Sequence, residues 1–155
     1  MTTIVLIEPK IPQNTGTIAR LCAANDTPLW LVGDLGFSLD DKYLKRAGLD
    51  YWAYVTLRHI PNVSDFFKEL QASKKTPWLL SSKTTRPYTD AAFGEDDVLI
   101  FGSETEGLSP EIKAMFPEQL LTIPMKTPHV RSLNVANAVS IVFYEALRQV
   151  GLKVS

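Results

Sequence analysis

Ile123-Pro-Met-Lys-Thr-Pro-His-Val-Arg-Ser-Leu-Asn-Val-Ala-Asn-Ala-Val-Ser-Ile141 is the stretch on which the reading of the fold turns. It leaves an apolar strand end, crosses a polar loop containing proline, and enters a strongly periodic helix, with Arg131, Ser132 and Asn134 at the junction. In that helix Val135, Val139, Val142, Phe143, Ala146, Leu147 and Val150 recur at i, i+4, i+7 and i+8, which makes one core-facing stripe. Ile141 and Tyr144 lie off the stripe and form a second, partly apolar strip. That strip is either surface character of no consequence or a subunit interface, and the interface is the preferred reading. Polar groups where a loop enters a helix serve as an ordinary N-cap or as a place to hold a ligand.

Working outward, the same strand–loop–helix alternation recurs. Apolar runs of strand length fall at Thr3 to Ile7, Leu29 to Val32, Tyr54 to Leu57, Trp78 to Ser81, Val98 to Phe101 and Leu120 to Ile123. Helices are expected at about 15–26, 40–47, 63–72, 109–115 and 134–149. Several strands are continuously apolar, as strands covered on both faces are. The expected fold is therefore α/β, a mainly parallel sheet with helices on both faces. No repeat or long linker interrupts the 155 residues, so 1–155 reads as one domain able to bury about 68–70% of its unfolded surface.

Composition narrows the function classes. Hydrophobic residues make up 45% and charged residues 21%, as in a soluble globular protein. No apolar run approaches the roughly 20 residues of a membrane span, and the N-terminus carries no basic-then-apolar signal. A cytoplasmic protein with no membrane partner is the expectation. Cys22 is the only cysteine, which excludes an intrachain disulfide and a multi-cysteine zinc site; with only His59 and His129 besides, no metal is expected. The net charge of −1 gives no overall basic footprint. Even so, Lys42, Lys45 and Arg46 cluster, Lys74 and Lys75 are adjacent, and Lys83, Arg86, Lys126 and Arg131 fall on loops. They read as a local basic patch or, each taken alone and more readily, as solvated surface charge.

In open parallel sheets ligands bind beyond the carboxyl ends of the strands. Three such junctions are rich in polar and small residues: Glu8-Pro-Lys-Ile-Pro-Gln-Asn-Thr-Gly16, Phe101-Gly-Ser-Glu-Thr-Glu-Gly-Leu108, and Ile123 to Asn134. In the second, two glycines allow tight turns, and the Glu104 carboxylate could hold a cation or a hydroxyl. In the first, Asn14 or Thr15 is the expected helix cap. Ile18, Leu21, Cys22 and Asn25 share one side of that helix, and Arg20 projects from the opposite side, either solvated or reaching for a ligand or a partner subunit. No G-x-G-x-x-G follows a strand, and the Gly102–Gly107 pair lacks the Lys-Ser or Lys-Thr of a phosphate loop, so a dinucleotide or ATP site is disfavoured. Gly33-Asp-Leu-Gly36 reads as a turn. No Ser-His-Asp set can be assembled.

Taken together, the three junctions resemble, in order, the three motifs of SPOUT-superfamily RNA 2′-O-methyltransferases. The matching residues are Pro12-Gln-Asn-Thr-Gly-Thr-Ile-Ala-Arg-Leu-Cys-Ala-Ala24, Phe101 to Leu108, and Ile123-Pro-Met with Arg131-Ser-Leu-Asn-Val-Ala-Asn-Ala-Val139. The stretch Phe37-Ser-Leu-Asp-Asp-Lys-Tyr-Leu-Lys-Arg-Ala-Gly-Leu-Asp-Tyr51 resembles the TrmL, or YibK-like, branch. The resemblance implies a SPOUT α/β knot, in which the C-terminal part threads a loop as a trefoil knot, against the general absence of knots from folds. It also implies a homodimer, and S-adenosylmethionine held bent between the knot loops. Leu80, Gly102, Ile123, Ser132 and Leu133 match the family's cofactor-contacting positions; without the resemblance they would read as strand-end packing. Glu104 and Asn134 match motif positions that shape the pocket.

The implied reaction is methyl transfer to the ribose 2′-hydroxyl of a tRNA wobble nucleotide in the anticodon loop, cytidine or a modified uridine. Arg20 matches the motif arginine proposed to activate that hydroxyl. A guanidinium stays protonated in proteins and is a poor free base, so Arg20 acts either through an RNA phosphate or by stabilising the developing alkoxide. Its side of the helix suits action across a dimer interface on the partner's cofactor. Asn14 would hold loop and arginine in place, and Ser132 and Asn134 could contact cofactor or substrate. Lys42, Lys45, Arg46, Lys126 and Arg131 are the candidates for phosphate contacts. The loop Lys126-Thr-Pro-His-Val130 departs from familiar forms of the third motif, and His129 in it reads as a loop histidine first. Rival readings are another tRNA position or rRNA as substrate, and a non-catalytic cofactor-binding RNA module. The presence of Asn14, Arg20, Glu104, Ser132 and Asn134 together argues against the last.

Overall fold

The computed structural model describes residues 1–152, without side-chain detail at 48–50. Six parallel strands form one sheet in the order β3-β2-β1-β5-β4-β6. They are β1 (Thr3–Ile7), β2 (Leu29–Val32), β3 (Leu57–Ile60), β4 (Pro77–Leu80), β5 (Val98–Phe101) and β6 (Leu120–Leu121). The chain builds outward from β1 to β3, then crosses to the other half. Strand order therefore reverses between β1 and β5, which pair from Thr3↔Val98 to Leu6↔Phe101.

Continuously apolar strands are explained by cover on both faces. Ile4, Leu6, Leu29, Leu31, Leu99 and Phe101 share a core with Ile18 and Cys22 of α1 (Pro12–Ala24) and with Val139, Val142, Phe143 and Ala146 of α5 (Val135–Val150). Their neighbours Val5, Ile7, Val32 and Ile100 point the other way, onto Phe66, Phe67 and Leu70 of α3 (Val63–Ser73) and Ile112 of α4 (Pro110–Met115). The alternation of side chains in a strand produces this division. Burial pushes the Cys22 thiol up to about 12, so it stays protonated and acts as a core side chain. No helix among the described residues is long and apolar enough to cross a membrane.

Several boundaries differ from expectation, and three of the shifts have a plain cause. The third strand is Leu57–Ile60, not 54–57, and Leu49–Tyr54 forms 3-10 turns after α2 (Lys42–Gly48). The aromatic run Tyr51-Trp-Ala-Tyr54 has strand-like composition, but the Trp52 indole donates to the Lys45 carbonyl at 3.3 Å and closes a turn instead. The pairing Leu29↔Leu57 and Val32↔Ile60 places two polar residues, Arg58 and His59, inside an edge strand.

Helix α1 starts at Pro12, ahead of the expected cap at Asn14 or Thr15. Ile11 holds the cap position without a side-chain hydrogen bond, and Pro12 at the first helical position removes one of the N–H groups that would lack an intrahelical partner. Strand β6 ends at Leu121, short of Ile123, because Thr122 changes partner. The Ser81 N–H donates to the Leu121 carbonyl at 2.9 Å. The Thr122 N–H then donates to the Arg86 carbonyl, and its own carbonyl accepts from the Tyr88 N–H, each at 2.8 Å.

Candidate active site

The carboxyl ends of β4, β5 and β6 open into one cavity of about 400 Å³, within the usual range for small-molecule sites. Leu80 reaches it from β4, Gly102 and Glu104 from the loop after β5, and Ile123 from the chain after β6. Arg131, Ser132, Leu133 and Asn134 close it from the approach to α5, and Asn14 enters from the first turn of α1. Nine of the ten predicted site residues thus converge. Arg20 does not; it stands exposed on α1, outside the cavity.

Glycine at 102 is forced by the loop that follows it. Ser103 and Gly107 bridge antiparallel, and Gly107 takes a φ of +68°. This folds the loop back so closely that a Cβ on residue 102 would sit 2.2 Å from the Gly107 carbonyl carbon and 2.4 Å from the Leu108 nitrogen. The Ser103 hydroxyl accepts from the Glu106 N–H at 3.0 Å and tightens the turn further.

Glu104 is not poised for a cation. Its carboxylate accepts from the backbone N–H of Lys10 at 2.8 Å and of Ile11 at 3.2 Å. These N–H groups lie at the entry of α1, where the helix has no local cap, so an anion 94 residues away supplies it. The second motif loop thereby fixes the first.

The third motif is tied in similarly. The Asn134 side-chain oxygen caps α5, accepting from the Ala136 N–H at 2.9 Å and the Asn137 N–H at 3.2 Å. With that oxygen committed, its Nδ2 donates to Asn14 Oδ1 at 2.9 Å. The cap therefore settles the orientation of both amides, and Asn14 is left with Nδ2 as its free donor group. Asn14 serves as a bridge to α5 and not as the cap of its own helix.

His129 is exposed and does not line the cavity. Ser81, Ser82 and Lys83 do, and so does Lys113 on α4. The serines follow Leu80 directly, and their place after a strand end was the available signal. Lys113 carried none, since it sits on a helix face like many solvated lysines.

A parallel sheet with one cavity lined by three polar loops at its strand ends is the frame of many α/β enzymes, and the chain matches the SpoU rRNA Methylase family over residues 1–144 and belongs to it. It is 46% identical to the tRNA (cytidine(34)-2′-O)-methyltransferase of Saccharophagus degradans over 152 residues, 97% of each chain. To the enzyme of that name from Methylovorus glucosotrophus it is 46% identical over 147 residues, 94% of each. A solved structure concerned with the 2-OH methylation of C/U34 on tRNA has a TM-score of 0.91 at 44% identity, covering 96% of this chain and 95% of that one. An AdoMet-bound rRNA methyltransferase from Sinorhizobium meliloti has a TM-score of 0.86 at 25% identity, covering 97% of this chain and 57% of that one.

Proposed function

We propose that the chain is an S-adenosylmethionine-dependent methyltransferase that modifies the ribose 2′-oxygen of the wobble nucleotide of tRNA, cytidine or a modified uridine, as a cytoplasmic homodimer of one-domain subunits. The observation that carries this reading is the convergence of all three motifs on one cavity, with Arg20 left outside it. The close relatives named for that reaction support the substrate.

The cavity fits the cofactor by its chemistry. Leu80, Ile123 and Leu133 offer apolar surface for a purine ring. The backbone beyond three strand ends offers N–H and C=O groups for its edge, and Asn14 keeps a free amide donor. S-Adenosylmethionine supplies a methyl group on a cationic sulfonium that leaves as a neutral thioether. The protein's residues hold the acceptor hydroxyl in line and help it lose its proton. Alignment of this kind is worth about 7–11 kcal/mol in favourable cases.

Arg20 stabilises the developing alkoxide directly or holds the adjacent RNA phosphate, and it acts on the cavity of a partner subunit. The exposed strip of Ile141 and Tyr144 on α5 supports the dimer: it lies beside the end of α1, where Asn25 Nδ2 donates to the Tyr144 hydroxyl at 3.2 Å. A C-terminal knot is supported by membership of the SpoU family and by the fold likeness, at a TM-score of 0.91, to the structure concerned with C/U34 methylation. Lys42, Lys45, Arg46, Lys126 and Arg131 provide phosphate contacts, which makes binding strongly salt-dependent.

The test is transfer of radiolabelled methyl from S-adenosylmethionine to tRNA lacking its native modifications, followed by mapping of the labelled nucleotide. Label is expected on the 2′-oxygen of position 34, with a loss of about 10²–10³-fold in Arg20→Ala at unchanged cofactor affinity. Label at another nucleotide, or in rRNA, would move the substrate. Cofactor binding with no transfer to any RNA would leave a non-catalytic module.

A further inference from the structure

The stretch from Phe37 to Tyr51 contributes no wall to the cavity, so its part in the reaction lies elsewhere. It folds into α2 and the 3-10 turns that follow, and both pack along α1. Trp52 is partly buried against the core and bonded to the Lys45 carbonyl, and this anchors the turn. The preceding residue, Tyr51, then lays its ring against Arg20, whose guanidinium carbon lies 5.0 Å from the ring centroid.

Two other arginines stack on aromatic rings, and they differ from Arg20 in one respect. Arg58 lies over Trp30 at 4.7 Å, but its N–H groups are spent on both Glu69 carboxylate oxygens, at 2.7 and 2.9 Å. Arg86 lies over Trp78 at 5.5 Å, and its N–H groups go to the Glu118 and Asp90 carbonyls. Arg20 has the ring face and, among the described residues, no hydrogen bond or ion pair. A ring face grips a guanidinium plane and leaves its N–H edge open, whereas a carboxylate would occupy that edge and compete with any incoming anion. It also restrains a long side chain that would otherwise sample many rotamers.

We propose that Tyr51 is a positioning residue that holds Arg20 by its face, so that the free guanidinium edge meets an RNA oxyanion, either a phosphate or the developing 2′-alkoxide. This rests on the methyltransferase reading above. It gives Tyr51, at the end of the Phe37–Tyr51 stretch, a part in catalysis without contact with substrate or cofactor, beside the phosphate contacts of Lys42, Lys45 and Arg46.

The experiment compares wild type, Tyr51→Phe and Tyr51→Leu by steady-state methylation of tRNA and by the Arg20 side-chain Nε–H resonance. In wild type and Tyr51→Phe this resonance is ring-current shifted and kcat agrees within about twofold, because the aromatic face alone is needed. In Tyr51→Leu the shift disappears and kcat falls about 3- to 30-fold, between the loss of one exposed cation–π contact and a misplacement of the arginine. Cofactor affinity and the KM for tRNA hold within about twofold in both variants. An unshifted Arg20 resonance in wild type overturns the proposal. So does a loss in Tyr51→Phe equal to that in Tyr51→Leu, or a raised KM at unchanged kcat, which would mean that the ring touches the RNA itself. Failure of the wild-type protein to methylate tRNA would sink the functional reading first and separately.

Discussion

Asn14 and Arg20 sit on the same helix and are held in opposite ways. Asn14 is locked by a hydrogen bond to Asn134, which is itself locked onto the amides of α5. The loop before it is pinned by Glu104. Arg20 meets only a ring face among the described residues. The cavity is thus built from groups whose bonds are already made before any ligand arrives, and the arginine from a group whose bonds are still to be made. Substitutions in the first region should therefore damage folding and cofactor affinity together, and those in the second should damage turnover alone.

The sharpest way to break that contrast is Gly102→Ala. The added methyl would lie 2.2 Å from backbone carbon, and neither side of the turn can yield cheaply, since both are strapped by the Ser103–Gly107 bridge. A loss of about 3 kcal/mol in unfolding free energy is expected, with calorimetric cofactor binding weakened at least about 100-fold. A variant with wild-type affinity would show that the cavity floor is not preorganised.

Next in size is Glu104. Alanine there leaves two N–H groups at the α1 entry without their anion, at a cost of about 2 kcal/mol in chemical denaturation. Glutamine keeps an acceptor and should recover about half of that. Equal losses in both would point to the charge itself, through the helix dipole, as the main contributor. Asn134→Ala follows at about 1–2 kcal/mol, because it removes the α5 cap and the partner of Asn14 together. Adding Asn14→Ala to it should cost little more, since the bond between the two is already gone. Full additivity would deny that bond.

How much of this could be read from the chain depends on whether the deciding interaction is local. Strands β1, β2 and β5 appear at their expected residues because both faces are buried and each side chain reports it. The cap of α5 was legible because Asn134 bonds amides two and three residues on. The start of α1 escapes a local reading because its stabilising carboxylate is 94 residues distant, and Asn14, which with Thr15 looks like a cap, bonds a partner 120 residues away. Strand β3 lies beyond the expected run because an aromatic run has strand-like composition in either structure, and only the Arg58–His59 pairing at the sheet edge tells them apart. Arg20 was visible as an outlier from its helix stripe. Its neighbour Tyr51 was not, because nothing in the spacing of a 3-10 turn says which ring meets which helix.

The smallest effect expected lies at the far end of α5, away from both regions, and it tests whether the cavity is insulated from the periphery. Glu145 is held down to about 2 by its hydrogen bonds to Arg148 and Gln149. Gln149 in turn holds the 91–93 segment, accepting from the Phe93 N–H at 2.9 Å and donating to the Ala91 carbonyl at 3.0 Å. A carboxylate with a folded value below its unfolded one, here 4.5, contributes stability that is complete above about pH 5. That contribution is lost as pH falls from about 4.5 towards 2. The full shift would overstate it, because Arg148 is 67% exposed and water screens the pair, leaving about 0.5–1 kcal/mol. Glu145→Gln should therefore flatten the acid limb of stability between about pH 4.5 and 2 by that amount, while calorimetric cofactor affinity at neutral pH stays at the wild-type value. A fall in affinity would mean that the 91–93 segment carries strain into the cavity through Arg86 and Thr122, and the line drawn between scaffold and periphery would have to move.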